Sequence, residues 1–335
     1  MNLLEIDNVK ITILVDNVTD RLLSSSSIVK RPPMVSNQRI TKSPIAEHGF
    51  SAILEISYFY GNTIKINKFL FDTGVSKDGI ICNSDVIGIN LTDIETIMLS
   101  HGHFDHISGL ISTLGRIKKP IEIIMHPDAF LRRWLVFPNG NKARMDSLNE
   151  EEILQAGGII RKIDQISFLP RDENEIESKK ESSKANNRLM ITGEIPRVTK
   201  FEKGFPLQYK EEKNEFDLIP DPLVKDDQAL IMNIKGKGLI ILTGCGHAGI
   251  VNTINYATEV TGIKKIHSVI GGFHLSGQGY EESIPLTIAE LKKLDPQYII
   301  PCHCTGWKAA NEIINTMPEK FIQTSVGSIF AFNSV

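Results

Sequence analysis

The stretch Ser100-His101-Gly102-His103-Phe104-Asp105-His106 follows the apolar run Ile97-Met98-Leu99 and places four metal-ligand side chains within six positions. In an extended loop, side chains two and four residues apart share a side, so His101, His103 and Asp105 converge while His106 faces a neighbouring point. Three imidazoles and a carboxylate suit zinc or iron and leave a coordination position for water. Core packing rarely gathers these residue types after a strand, so the cluster reads as a metal site.

The same grammar recurs along the chain. Leu239 to Leu242 reads as a strand, Thr243 to Gly246 as a loop and Ile250 to Thr258 as a helix. Tyr298-Ile299-Ile300, Pro301 to Gly306 and Trp307 to Ile314 repeat the order, and Ser268-Val269-Ile270 runs into Gly271-Gly272-Phe273-His274. Polar clusters after strands are where α/β proteins build their sites. Upstream, residues 9–17 form a β-branched strand, and Ser51 to Ser57 pairs with Thr63 to Phe71 around Tyr60-Gly61-Asn62. The second of these ends abruptly in Phe71-Asp72-Thr73-Gly74. Residues 22–48, with Pro32-Pro33 and few large apolar side chains, read as a loop.

The chain has 335 residues, with 40 acidic against 37 basic side chains and a formal net charge of -3. Length alone allows two domains or one large one. The charge balance argues against a nucleic-acid or membrane-surface binder, which would carry a basic excess. Four cysteines are too few for a disulfide scaffold. Without a basic leader or a run of ~20 apolar residues, the expectation is a cytoplasmic protein with reduced thiols. Ten of the eighteen residues from Arg171 to Arg188 are charged, which reads as a solvated loop insertion.

With Phe71-Asp72-Thr73-Gly74 upstream, the H-x-H-x-D-H motif resembles the metallo-β-lactamase superfamily of dinuclear metal hydrolases. Ile191-Thr192-Gly193-Glu194-Ile195-Pro196-Arg197, Thr243-Gly244-Cys245-Gly246-His247-Ala248-Gly249, Gly271-Gly272-Phe273-His274 and Pro301-Cys302-His303-Cys304-Thr305-Gly306 follow in order. Together they resemble the branch named for 7,8-dihydropterin-6-methyl-4-(β-D-ribofuranosyl)aminobenzene-5′-phosphate synthase, of methanopterin biosynthesis. The resemblance implies an α+β fold, a four-layer αββα sandwich with the site along one edge. It favours one domain over 1–335 that owes its size to loops.

Carried over by resemblance, His101 and His103 hold a first metal, and Asp105, His106 and His303 a second. The superfamily's usual third imidazole and bridging acid are not matched directly. His247 takes the imidazole role, and Cys245 stands at the acid's position as a thiolate ligand or as a small turn residue. The implied cofactor is a pair of divalent ions, zinc with iron or manganese as alternatives. Such a pair lowers the pKa of a shared water towards ~7 and supplies hydroxide. Asp105 would orient the nucleophile and carry its proton, and His274 would contact substrate or donate a proton. Asp72 resembles a carboxylate that orients a ligand histidine. Glu194 and Arg197 are substrate-contact candidates, the arginine for phosphate or carboxylate. Cys302 and Cys304, alternating with His303, should point away from it in an extended segment and pack as small apolar residues. His48, His126 and His267 receive no role.

The substrate class implied is a small anionic ester or phosphoester. A transferase of the synthase type, with an organic nucleophile in place of water, is the second reading. A non-catalytic metal-binding module is the third.

Overall fold

The structure is a computed structural model that describes residues 2–170, 187–277 and 279–334. Of the charged stretch 171–188, only Asn187 and Arg188 are among these. Alternating apolar residues in the strands create sheets with two buried faces, and the described residues form three cores to match. One face of an eight-stranded sheet contributes Ile11, Ile13, Leu54, Phe69, Phe71, Met98 and Ile124 to the central core. A seven-stranded sheet supplies Leu230, Met232, Ile240, Leu242, Ile270 and Ile300 from the other side. The intervening residues face outward. Leu70, Ile97 and Ile123 pack with Leu110, Leu114 and Ile117 of the helix Leu110–Ile117. Ile231, Ile241 and Val269 pack with Ile250, Ile254, Ile288 and Ile313 of the helices Ile250–Thr261, Ile284–Leu294 and Gly306–Thr316. Each such side chain, fully buried, contributes about 1.5–3 kcal/mol. The result is the expected αββα order.

Both sheets are mixed, and their parallel sections aim the site. Phe71 pairs with Met98, and Met98 with Ile124, in parallel register, so Asp72 and Ser100 leave the sheet side by side. In the second sheet Thr243 pairs with Gly271, and Gly271 with Pro301. The loops carrying Cys245, His247, His274 and His303 therefore emerge at one level.

Three local features depart from the sequence reading. Asp105 and His106 lie on a helical turn, Phe104–Ile107, rather than in an extended loop. This turn is separated from the helix Leu110–Ile117 at Gly109, whose backbone stands against the Thr73 carbonyl and leaves no room for a Cβ. A separate antiparallel sheet, Lys142–Arg144, Arg133–Val136, Gln208–Glu211 and Leu218–Pro220, was not foreseen. Among the described residues, no helix is long and apolar enough to cross a membrane.

Candidate metal centre

Asp72 organises the cluster. It is fully buried, with Oδ1 accepting the Ser100 N–H at 2.7 Å and Oδ2 accepting the Ser100 hydroxyl at 2.7 Å. Asp72 Oδ2 also lies 2.7 Å from His106 Nδ1, and Ser100 Oγ lies 2.9 Å from His101 Nδ1. One carboxylate thus sets the orientation of His106 directly and of His101 through Ser100, leaving Nε2 of each ring turned inward. Asp72, His274 and His303 all take left-handed backbone, with φ of 58°, 45° and 46°. For non-glycine residues this costs of order 1–3 kcal/mol each and is typical of functional sites.

The inward atoms fall into two groups. Ligand atoms of His101, His103 and His247 lie within 4.8 Å of one another. His103 Nδ1 stands 3.1 Å from His247 Nε2, while its own Nε2 is held by Gln208 Oε1. In the second group, Asp105 Oδ2 lies 3.2 Å from His303 Nε2 and 3.9 Å from His106 Nε2. His303 Nδ1 meets Asn17 Oδ1 at 2.9 Å, which turns its Nε2 inward as well. Among the described residues, His101 Nε2, His106 Nε2, His247 Nδ1 and His303 Nε2 are buried without a hydrogen-bond partner. An orphaned buried polar atom costs ~1–3 kcal/mol, so nitrogens of this kind converging beside a carboxylate fit divalent cations.

The electrostatics agree with that fit. Burial, aided by neighbouring imidazoles, pushes His101 and His247 well below the ordinary histidine range. Burial also lowers His103 to about 4, His303 to about 4 and His274 to about 3. For Asp105 burial opposes the charge, but His106 and His303 outweigh it and hold the carboxyl below its usual range. Neutral imidazoles and a charged carboxylate are the states a cation requires. His106 differs: burial lowers it, yet Asp72 and Asp105 together hold it raised.

The six sequence-selected ligands therefore come together, and His274 joins them with Nδ1 3.2 Å from Cys245 Sγ. Glu194 and Arg197 are engaged with other groups of the chain. Glu194 is exposed and paired with Lys225 at 3.4 Å. The Arg197 guanidinium donates to the His247 carbonyl at 2.5 Å and to the carbonyls of Leu223 and Val224, so it positions the His247 loop. Cys302 enters the central core as expected, but Cys304 turns back towards the cluster. The left-handed His303 and the turn His303–Thr305 break the extended alternation. His126 caps a turn, accepting the Asp128 N–H at 3.0 Å, and His267 contacts Gln297 at 2.8 Å. His48 has no ligand neighbours in sequence. Its exposed ring reaches within 3.7 Å of Asp105 and completes a possible ligand set with Asp105 and His303.

Asp72→Asn tests the organising role. The amide cannot accept at both former oxygens, and affinity for zinc is expected to fall ~10–100-fold in a chelator-competition titration. Unchanged affinity would show that the rings hold their orientation without it.

This fold and donor set define an αββα sandwich with a cluster that could hold metal at its edge, and comparison with known proteins gives the family. Residues 67–260 match the model of the metallo-beta-lactamase superfamily. The 7,8-dihydropterin-6-methyl-4-(beta-D-ribofuranosyl)-aminobenzene-5′-phosphate synthase of Methanocaldococcus jannaschii is 33% identical over 291 residues, covering 86% of this chain and 90% of that protein. An uncharacterized protein of the same organism, MJ0448, is 31% identical, covering 86% of this chain and 94% of its own length. Among solved structures, Tm1679, a metal-dependent hydrolase of the beta-lactamase superfamily, superimposes with a TM-score of 0.70 at 21% identity. That match spans 97% of this chain and 100% of the other, and at this identity it speaks for the fold. The chain belongs to the metallo-β-lactamase superfamily.

Proposed function

We propose that the protein is a dinuclear, zinc-dependent hydrolase of a small anionic ester or phosphoester. The observation that carries this reading is the division of inward ligand atoms into two adjoining groups, with buried nitrogens that lack partners. His101 Nε2, His103 Nδ1 and His247 would hold one ion, and Asp105, His106 Nε2 and His303 Nε2 the other. Ions held there would supply Lewis acidity and an activated water. Asp105 orients the attacking group and takes up its proton. His274, against Tyr280 and His247 at ring separations of 4.5 and 4.1 Å, stands ready to hydrogen-bond an anionic substrate group.

A cleft of about 310 Å³ adjoins His303 and is lined by Asn17, Trp307, Asn311, Ile314 and Phe321. Its apolar walls and amide edges suit the organic part of a substrate whose anionic part faces the cluster. Trp307 is 79% exposed and forms one rim. Losing an aromatic contact of ~0.5–1.5 kcal/mol should raise KM roughly 2–10-fold in Trp307→Ala and leave kcat unchanged. A fall in kcat alone would remove the cleft from substrate binding.

A second reading rests on the 33% identity to the named synthase. An organic nucleophile would then displace diphosphate at the same centre. One experiment separates the readings. Metal-loaded protein is assayed with p-nitrophenyl phosphodiesters and aryl esters, and in parallel with a dihydropterin diphosphate plus ribofuranosylaminobenzene 5′-phosphate. Turnover of the first group alone supports the hydrolase, product from the second pair alone supports the transferase, and metal binding with neither denies both.

A further inference from the structure

Cys245 sits between Gly244 and Gly246, at the end of the strand Gly238–Thr243. A Cβ on Gly244 would stand 2.6 Å from Asp72 Oδ2, so the glycine lets this turn press against the cluster. Cys304 arrives from the opposite side through the left-handed turn at His303. The two sulfurs are 2.9 Å apart, both buried, and neither is in a disulfide. Together with the His303 ring nitrogen they form a set of ligand atoms within 4.8 Å of one another. Cys245 Sγ also lies in such a set with His101 and His106.

A thiol is a weak hydrogen-bonding group. Two of them beside the orphaned nitrogens of His101, His106 and His303 leave those nitrogens unsatisfied. Thiolates resolve this by binding the same cation. We propose that Cys245 and Cys304 ligate the second metal as a thiolate pair with His303, making that position sulfur-rich and selective for zinc-like soft ions. Binding exchanges each S–H bond for an S–metal bond and releases one proton per thiol to solvent, with no change of oxidation state. Manganese and magnesium, which prefer oxygen donors, are then poor occupants.

The inference rests on the reading that the cluster holds metal, and its test uses the full chain loaded with cobalt(II). Wild-type protein with two cobalts should show a near-ultraviolet thiolate-to-cobalt charge-transfer band. The band should halve in Cys245→Ser and in Cys304→Ser, vanish in the double variant, and persist at full strength in a Cys82→Ser, Cys302→Ser control. Zinc-edge X-ray absorption of the wild type, which needs no variant, should show a sulfur shell at ~2.3 Å averaging about one sulfur per zinc. Two bound metals with no band and only nitrogen or oxygen neighbours would overturn the thiolate pair and leave the proposed function intact. Failure to bind any metal would overturn both.

Discussion

A His101→Ala, His103→Ala double variant is expected to lose one equivalent of metal per chain and on the order of 10³-fold in turnover of a p-nitrophenyl phosphodiester. The two rings supply His101 Nε2 and His103 Nδ1 to the first group, and their removal leaves His247 as its last imidazole. One nitrogen does not retain a divalent ion against water, whereas Asp105, His106 and His303 remain for the second position. Lewis acidity at a reacting oxygen is worth several kcal/mol, and each 1.36 kcal/mol is tenfold in rate. The fold should survive, because each ring's outer partner keeps another bond. Ser100 Oγ still donates to Asp72, and Gln208 Nε2 still donates to Asp221 at 2.9 Å. Elemental analysis and circular dichroism on the same sample check both statements. Metal lost with turnover retained would sink the catalytic reading, and unchanged metal content would show that the first group is wrongly assigned.

Most of this cluster was legible because its candidate ligands lie close together in sequence or at strand ends. His101, His103, Asp105 and His106 lie within six positions after one strand, and His247, His274 and His303 each follow an apolar run that could be read as a strand. The paired strands read as Ser51 to Ser57 and Thr63 to Phe71 are also present, the first running on to Tyr60, and their alternating residues face two different cores. What sequence did not disclose depends on backbone turns and long-range pairing. Cys304 was expected to face away from the cluster, and one left-handed residue at His303 reverses that. Gln208 reaches His103 across 105 positions. Arg133, Asp221 and Asp226 lie in or beside a small sheet whose strands are short and weakly patterned. His48 had no neighbour in sequence to give it away. Sequence also did not disclose the partners of Arg197, whose guanidinium donates to the carbonyls of Leu223, Val224 and His247.

Arg133→Met should be the most destabilising single change near the site, at roughly 3–5 kcal/mol by urea unfolding at neutral pH. Arg133 is 1% exposed and its guanidinium grips Asp226 with bonds of 2.9 and 2.5 Å and Asp221 at 3.2 Å. Methionine fills much of the volume but leaves the buried Asp226 without its cation and Asp221 with Lys210 alone at 3.7 Å, an expensive state in a poorly solvated interior. The sign of the pH dependence follows from Asp226. Its burial favours the neutral acid, yet Arg133 outweighs this and holds the carboxyl below its ordinary range. The wild type therefore gains stability from this pair above the ordinary carboxylate pKa of ~3.9 and loses it as pH falls through the depressed folded value. The variant has no such gain to lose, so the gap between the two should narrow as the pH is lowered. The damage should also reach the metal, because Asp226 Oδ2 accepts the Gly102 N–H at 2.8 Å, between His101 and His103. Replacing Asp221 and Asp226 with leucine in the Arg133→Met background removes the unpaired charges and should restore much of the stability. Zinc affinity should stay low in that triple variant, because Gly102 has still lost its acceptor. Full recovery of zinc affinity along with stability would show that the arginine network supports the fold without steering the ligand loop.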